Sequence, residues 1–169
     1  MKKMEKRWIC LLVENQIGVL ARISGLFSSK LYNIDSFTAG VTEDPSISRL
    51  TISMTSDDKT FEQITKQLNR CVEVIKVLDY TSTPVHMNEI LYIKINSCSE
   101  KDKSEIFRIA KVFNLSIVDY NKSSILLQCT QTEKKNDEII ELFKSMFINR
   151  IEIVRGGMVA IESISMSNK

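Results

Sequence analysis

An apolar run from Trp8 to Val13 stops at Glu14-Asn15, passes through Gln16-Ile17-Gly18, and gives way to a helix-periodic segment from Val19. Leu26-Phe27 closes that segment, and Tyr32-Asn33-Ile34 leads into the next apolar run. The pattern is strand, tight loop, helix, turn, strand. A helix joined this closely to the strands on either side must pack its apolar stripe on their sheet, which restricts the chain to layered αβ folds. The loop at Asn15 to Gly18 also leaves the first backbone N–H groups of the helix without partners inside it. Such a helix start favours a small carboxylate. Taken alone, Asn15 and Gly18 are better explained as a helix-entry turn, with Asn15 near the cap and Gly18 supplying backbone freedom.

The same alternation continues. Val19, Leu20, Ile23, Leu26, Phe27 and Leu31 mark one helix face over Val19 to Leu31. Strands are predicted at Ile34 to Thr42 and Arg49 to Thr55, separated by the proline turn Thr42 to Ser46. In the second of these, Leu50, Ile52 and Met54 face one way, and Arg49, Thr51 and Ser53 face another side expected to be at least partly wet. A second helix carries Phe61, Ile64, Leu68 and Cys71, and Val72 to Tyr80 is a further strand. The order is βαββαβ over about 75 residues, a common size for a small domain.

Thr81-Ser82-Thr83-Pro84-Val85-His86 is the best linker, and the cycle then repeats. Ile90 to Ile95 is a strand and Lys101 to Phe113 a helix. Leu115 to Tyr120 and Ser124 to Thr130 form a hairpin, and Asp137 to Ile148 is a helix. Two short strands, Ile151 to Val154 and Met158 to Ile161, flank Arg155-Gly156-Gly157. The expected fold is α+β: two ferredoxin-like βαββαβ units, with residues 1–81 as the first, 82–87 as the linker and 88–169 as the second. Each unit would set an antiparallel sheet under two helices, leaving a second face to be covered. Apolar positions on the first sheet suggest a second copy, so dimerisation through the first domain is expected, edge to edge or face to face.

Several function classes are disfavoured. A net charge of +2 is too small to argue for nucleic acid. Arg49, Thr51 and Ser53 are not the stacking aromatics of an RNA-binding sheet. The basic start at Lys2, Lys3, Lys6 and Arg7 precedes only a short apolar run, unlike a secretory signal, and no stretch suits a bilayer. A cytoplasmic protein is expected. Cys10, Cys71, Cys98 and Cys129 have no metal-ligand spacing, and His86 is the only histidine, so no metal site is expected. Ser24, Ser28 and Ser29 have no neighbouring base, and Glu14 has no partner acid, so no catalytic residue is expected. Arg22 and Arg49 read as surface ion-pair residues, Asp57-Asp58 as a solvated helix cap, and Gly156-Gly157 lacks the third glycine of a dinucleotide loop.

Glu14-Asn15-Gln16-Ile17-Gly18-Val19-Leu20-Ala21-Arg22, Gly25-Leu26-Phe27, Tyr32-Asn33-Ile34-Asp35-Ser36 and Ser48-Arg49-Leu50-Thr51-Ile52 together resemble the small regulatory subunits of acetolactate synthase (acetohydroxyacid synthase). The first half is similar to their ACT domain. The second half, from Asn88-Glu89-Ile90-Leu91 through Arg155-Gly156-Gly157-Met158-Val159, is similar to their C-terminal domain. The resemblance implies a non-catalytic partner for a large subunit that carries thiamine diphosphate, Mg and FAD. That large subunit joins pyruvate to pyruvate or 2-oxobutyrate in branched-chain amino-acid biosynthesis. It implies activation of the large subunit and feedback by an end product, usually valine, bound between two ACT domains. Carried over, Asn15, Gly18, Val19 and Leu20 would hold the amino-acid head group, and Asn33 and Ile34 of a neighbouring copy would complete the pocket. The sensor alternative is a free-standing ACT protein acting on another enzyme. Where the family has arginine-glycine before its tyrosine-asparagine, this chain has Lys30-Leu31. A leucine forced into that left-handed turn would be strained by roughly 1–2 kcal/mol.

Overall fold

A computed structural model of the chain describes residues 3–164. Met1, Lys2 of the basic start and residues 165–169 lie outside the described residues. Contacts divide the chain into two units. One holds the residues up to Met87 together with those from Met158 onward, and the other is Asn88–Gly157.

The first unit holds β1 (Glu5–Glu14), α1 (Val19–Ser29), β2 (Ser36–Val41), β3 (Ile47–Ser56), α2 (Asp58–Leu68) and β4 (Val74–Asp79). Its strands lie in the antiparallel order β2-β3-β1-β4. Ile9, Leu11 and Val13 of β1 and Leu50, Ile52 and Met54 of β3 meet Val19, Ile23 and Phe27 of α1 and Phe61, Ile64 and Leu68 of α2 in one core. The expected alternating stripe of β3 forms it, but of the expected α1 stripe Leu20 and Leu31 are exposed, and the helix ends at Ser29 before reaching Leu31. Asp57 caps α2, its carboxylate accepting from Thr60 N–H at 2.8 Å.

The opposite face of this sheet differs from expectation. Thr51 and Ser53 are 3% and 0% exposed, and only Arg49 of the three remains partly open. The cover is the chain's own. Ala160 packs with Cys10 and Tyr80, joined by Trp8, Leu78, Val85 and Met87. Thr38 Oγ1 donates to the Met158 carbonyl at 2.6 Å, and Met158 N–H reaches Ser36 Oγ at 3.4 Å. Ser36 and Thr38, which stand beside Ser53 and Thr51 in the strand register, carry these contacts to the main chain of Met158.

The second unit is built on β5 (Val85–Ile95), α3 (Glu100–Phe113), β6 (Ser116–Tyr120), β7 (Ile125–Gln131), α4 (Glu133–Met146) and β8 (Ile151–Glu162), in the order β6-β7-β5-β8. β5 starts at Val85, inside the run expected to be a linker, and β8 ends beyond the unit's last residue. Leu91, Ile93, Ile106, Ile125, Leu127, Ile139 and Phe143 lead its core. The two strands expected around Arg155-Gly156-Gly157 are one continuous strand, β8. Gly157 takes φ +75°, and a Cβ on Gly156 would lie 2.4 Å from Ile90 Cγ2. The glycines serve a local bend and a close approach between strands, not a turn.

Two charged clusters brace this unit. Glu89, 4% exposed, accepts from Arg155 Nε at 2.9 Å and Nη2 at 2.7 Å, while Asn136 Nδ2 donates to Glu89 Oε2 at 3.0 Å. Burial pushes the Glu89 carboxyl up, but Arg155 and Asn136 outweigh it and hold it below its ordinary value. At the start of α3, Ser99 and Asp102 form a reciprocal capping box, and Arg150 Nη1 reaches Asp102 Oδ2 at 3.0 Å. The Ser99 N–H, Arg150 and the Ser99 hydroxyl lower Asp102 from 3.8 to about 2. A carboxyl depressed on folding stabilises above its unfolded pKa, and that contribution fades as pH falls through the folded value. Stability should therefore decline between pH 3.8 and about 2 more steeply in the natural protein than in Asp102→Asn, as read from urea midpoints across that window.

The cysteines are free thiols, with Cys10, Cys98 and Cys129 buried and Cys71 half-buried. Among the described residues no group of three or more His, Cys, Asp or Glu is placed to hold a metal, and no helix is long and apolar enough to cross a membrane.

Candidate effector site

Glu14 ends β1, and the chain turns at once into α1. Asn15 fixes the turn. Its N–H donates to the Ser46 carbonyl at 2.7 Å, and its Nδ2 to the Pro45 carbonyl at 2.9 Å. Ser48 Oγ donates to Asn15 Oδ1 at 3.0 Å. The Asn15 amide thus ties the β1–α1 loop to the β2–β3 loop. Its Oδ1 keeps a second lone pair for another donor. The sequence pattern alone marked the Thr42 to Ser46 turn only as a connection. Its buttressing role follows from the antiparallel register, which pairs Val13 with Ser48.

Gly18 is the N-cap of α1, with φ +90° and no side chain to cap the helix. Only glycine takes this conformation without cost. The cap is therefore Gly18 and not Asn15. The Val19 N–H makes a long contact to the Gln16 carbonyl at 3.4 Å, and the ordinary helix ladder resumes where Arg22 N–H meets the Gly18 carbonyl at 2.9 Å. The amides of Leu20 and Ala21 between them point out of the helix start, as such amides must. The first turn of α1 contains no acidic residue. In that it stands apart. α2 has the Asp57 cap, α3 has its Ser99–Asp102 box, and α4 begins with Glu133. The corresponding corner of the second unit holds its own carboxylate, whereas the first turn of α1 has none.

Side chains around the corner divide by role. Val19 is buried in the core at 4% exposure, so only its backbone is available, whereas Leu20 is 46% exposed beside the free amides. Arg22 is paired with Glu73, as a surface arginine commonly is.

Asn33 and Ile34 lie elsewhere in the same chain. Asn33 is exposed, its Nδ2 3.5 Å from Asp35 Oδ1, and Ile34 leans on the first core. They follow the C-terminal end of α1, while Gly18 is at its N-terminal end; α1 has 11 residues, about 16 Å of helix. The structure gathers Asn15, Gly18, Val19 and Leu20 into one corner and leaves Asn33 and Ile34 at the other end of the helix. A pocket using both sets requires two copies of the unit.

Leu31 takes φ +58° and is 95% exposed, so this leucine does adopt the left-handed turn. Its N–H and that of Tyr32 close the end of α1 on the Ser28 and Phe27 carbonyls, bonds that a glycine would keep. Leu31→Gly should raise stability by about 1 kcal/mol, seen as a higher urea midpoint at unchanged slope.

A larger cleft, about 710 Å³, lies in the second unit beside Asn114, Gln131, Lys135 and Glu138. None of the candidate effector residues lines it.

The model of AHAS small subunit-like ACT domains matches residues 9–76, and the model described as small subunit of acetolactate synthase matches residues 88–164. A probable acetolactate synthase small subunit from Archaeoglobus fulgidus is 40% identical over 92% of this chain and 96% of its own length. The acetolactate synthase small subunit of Bacillus subtilis is also 40% identical, over 92% of this chain and 89% of its own. The crystal structure of the acetolactate synthase small subunit from Thermotoga maritima superposes with a TM-score of 0.83 at 33% identity, covering 94% of this chain and 98% of that one.

Proposed function

The chain belongs to the family of acetolactate synthase small subunits, and from that premise we propose that it is the non-catalytic regulatory subunit of the enzyme. It activates a thiamine-diphosphate-dependent catalytic subunit and makes it sensitive to valine. The observation that carries this reading is the open start of α1, alone among the four helices of the described residues in having neither a side-chain cap bond nor an acid in its first turn.

The geometry suits a free amino acid. The Leu20 and Ala21 amides would take the carboxylate. Asn15 Oδ1, held in place by Ser48, would accept from the ammonium. Gly18 lets the ligand approach the backbone closely. Leu20, with Asn33 and Ile34 from a second copy, would line the aliphatic part. Pairing along the outer edge of β2 is the simplest route to that second copy, since β2 is an edge strand and a large part of the sheet's open face is already covered by Met158 and Ala160. An effector shared by two copies changes the dimer only if it binds two arrangements of the dimer with different affinity, and that difference is what the catalytic subunit would sense.

Calorimetric titration with valine and with valinamide tests the chemistry of the corner. Saturable binding of valine with none of valinamide is expected, because the amide lacks the charge that the helix start selects. Equal binding of both would contradict the placement.

A further inference from the structure

The C-terminal ends of α1 and α2 converge on a cleft of about 330 Å³ lined by Lys30, Tyr32, Gln63, Lys66, Gln67 and Arg70. Three of these six side chains are cationic and none is a carboxylate. Lys66 is paired with Glu62, but Lys30 and Arg70 make no ion pair among the described residues, and both are exposed. The nearby backbone carbonyls are already engaged: Phe27 and Ser28 by Lys30, Leu31 and Tyr32, and Thr65 and Gln67 by Asn69 and Arg70. The cations are therefore not needed to satisfy the helix ends, although they do suit the negative end of each helix dipole.

We infer that this cleft is a docking surface for an acidic patch on a protein partner, which on the function proposed above is the catalytic subunit. Exposed, flexible cations around a shallow polar cleft make a poor enclosed pocket for a small molecule and a good electrostatic contact for a complementary surface. The cleft adjoins the Asn33 end of α1, but none of the candidate effector residues lines it.

The test is the concentration of this protein that half-saturates stimulation of the catalytic subunit, at low and at high salt, for the natural protein and for Lys30→Glu/Arg70→Glu. The expected result is a rise of about tenfold or more at low salt, shrinking as salt is added, with valine affinity and unfolding midpoint little changed. Lys101→Glu/Lys134→Glu, a control in the second unit, should stay within about twofold of the natural protein. Half-saturation unchanged in the Lys30/Arg70 variant, or shifted equally in the control, would overturn the surface. So would a lower unfolding midpoint with unchanged half-saturation, which would mean that the cations only serve the helix ends. Saturable binding of inorganic pyrophosphate, lost in the variant while stimulation is unaffected, would overturn it in favour of a small polyanion. No stimulation by the natural protein would instead reject the function on which the surface rests.

Discussion

Gly18→Asp is expected to fold and to lose valine binding by on the order of a hundredfold. The substitution places a carboxylate beside the amides that would take the effector's own. Losing two charge-assisted hydrogen bonds costs about 3 kcal/mol or more, and repulsion between like charges adds to it. The fold should survive because a Cβ at Gly18 meets nothing within 4 Å. The backbone cost remains, since φ is +90°. It should amount to about 1–2 kcal/mol. Gly18→Ala separates the two effects, carrying the same strain without the charge. It should lose the same stability in urea but keep valine affinity within about tenfold. Equal loss of affinity in both variants would mean that Gly18 serves only the turn.

Arg155→Met is expected to destabilise the second unit by more than an ordinary surface substitution does. It leaves Glu89, 4% exposed, with Asn136 as its remaining side-chain partner. Stranding a buried carboxylate costs 3–5 kcal/mol when both partners are fully enclosed. Arg155 is 35% exposed, and solvent softens the loss to about 2–3 kcal/mol. Adding Glu89→Gln should recover part of it, because the amide has no charge to strand. The comparison is a double-mutant cycle in urea. Full additivity of the two changes would show that the pair is not coupled.

The order of helices and strands was legible along the chain because each carries its own period. The 3.6-residue stripe of Val19, Ile23 and Phe27 and the alternation of Leu50, Ile52 and Met54 are local signals, and they form one core. What escaped reading depends on distant residues. Thr51 and Ser53 look like solvent-facing positions until Met158 and Ala160, more than a hundred residues later in the chain, cover their face. Gly156-Gly157 looks like a turn, because glycines punctuate. That Gly156 is set by contact with Ile90 follows only from strand pairing. At the effector corner, Gly18 and Asn15 were identifiable from the loop itself. The lock from Pro45 and Ser48 was not, since it is made by the register of β1 on β3. The absence of an acid in the first turn of α1 was in plain sight, but it became informative only beside the self-capped start of α3. Leu31 was the one departure whose consequence was readable in advance, because φ near +60° is costly for any branched side chain.

On the proposed function this chain activates a catalytic subunit and carries the valine response itself. Acetolactate formation by the catalytic subunit of the same source tests it directly, measured with and without this protein, in the absence of valine and at saturating valine. The added chain should stimulate the reaction, and valine should reverse that stimulation. Catalytic activity unchanged by the added chain, with both proteins folded, would contradict it.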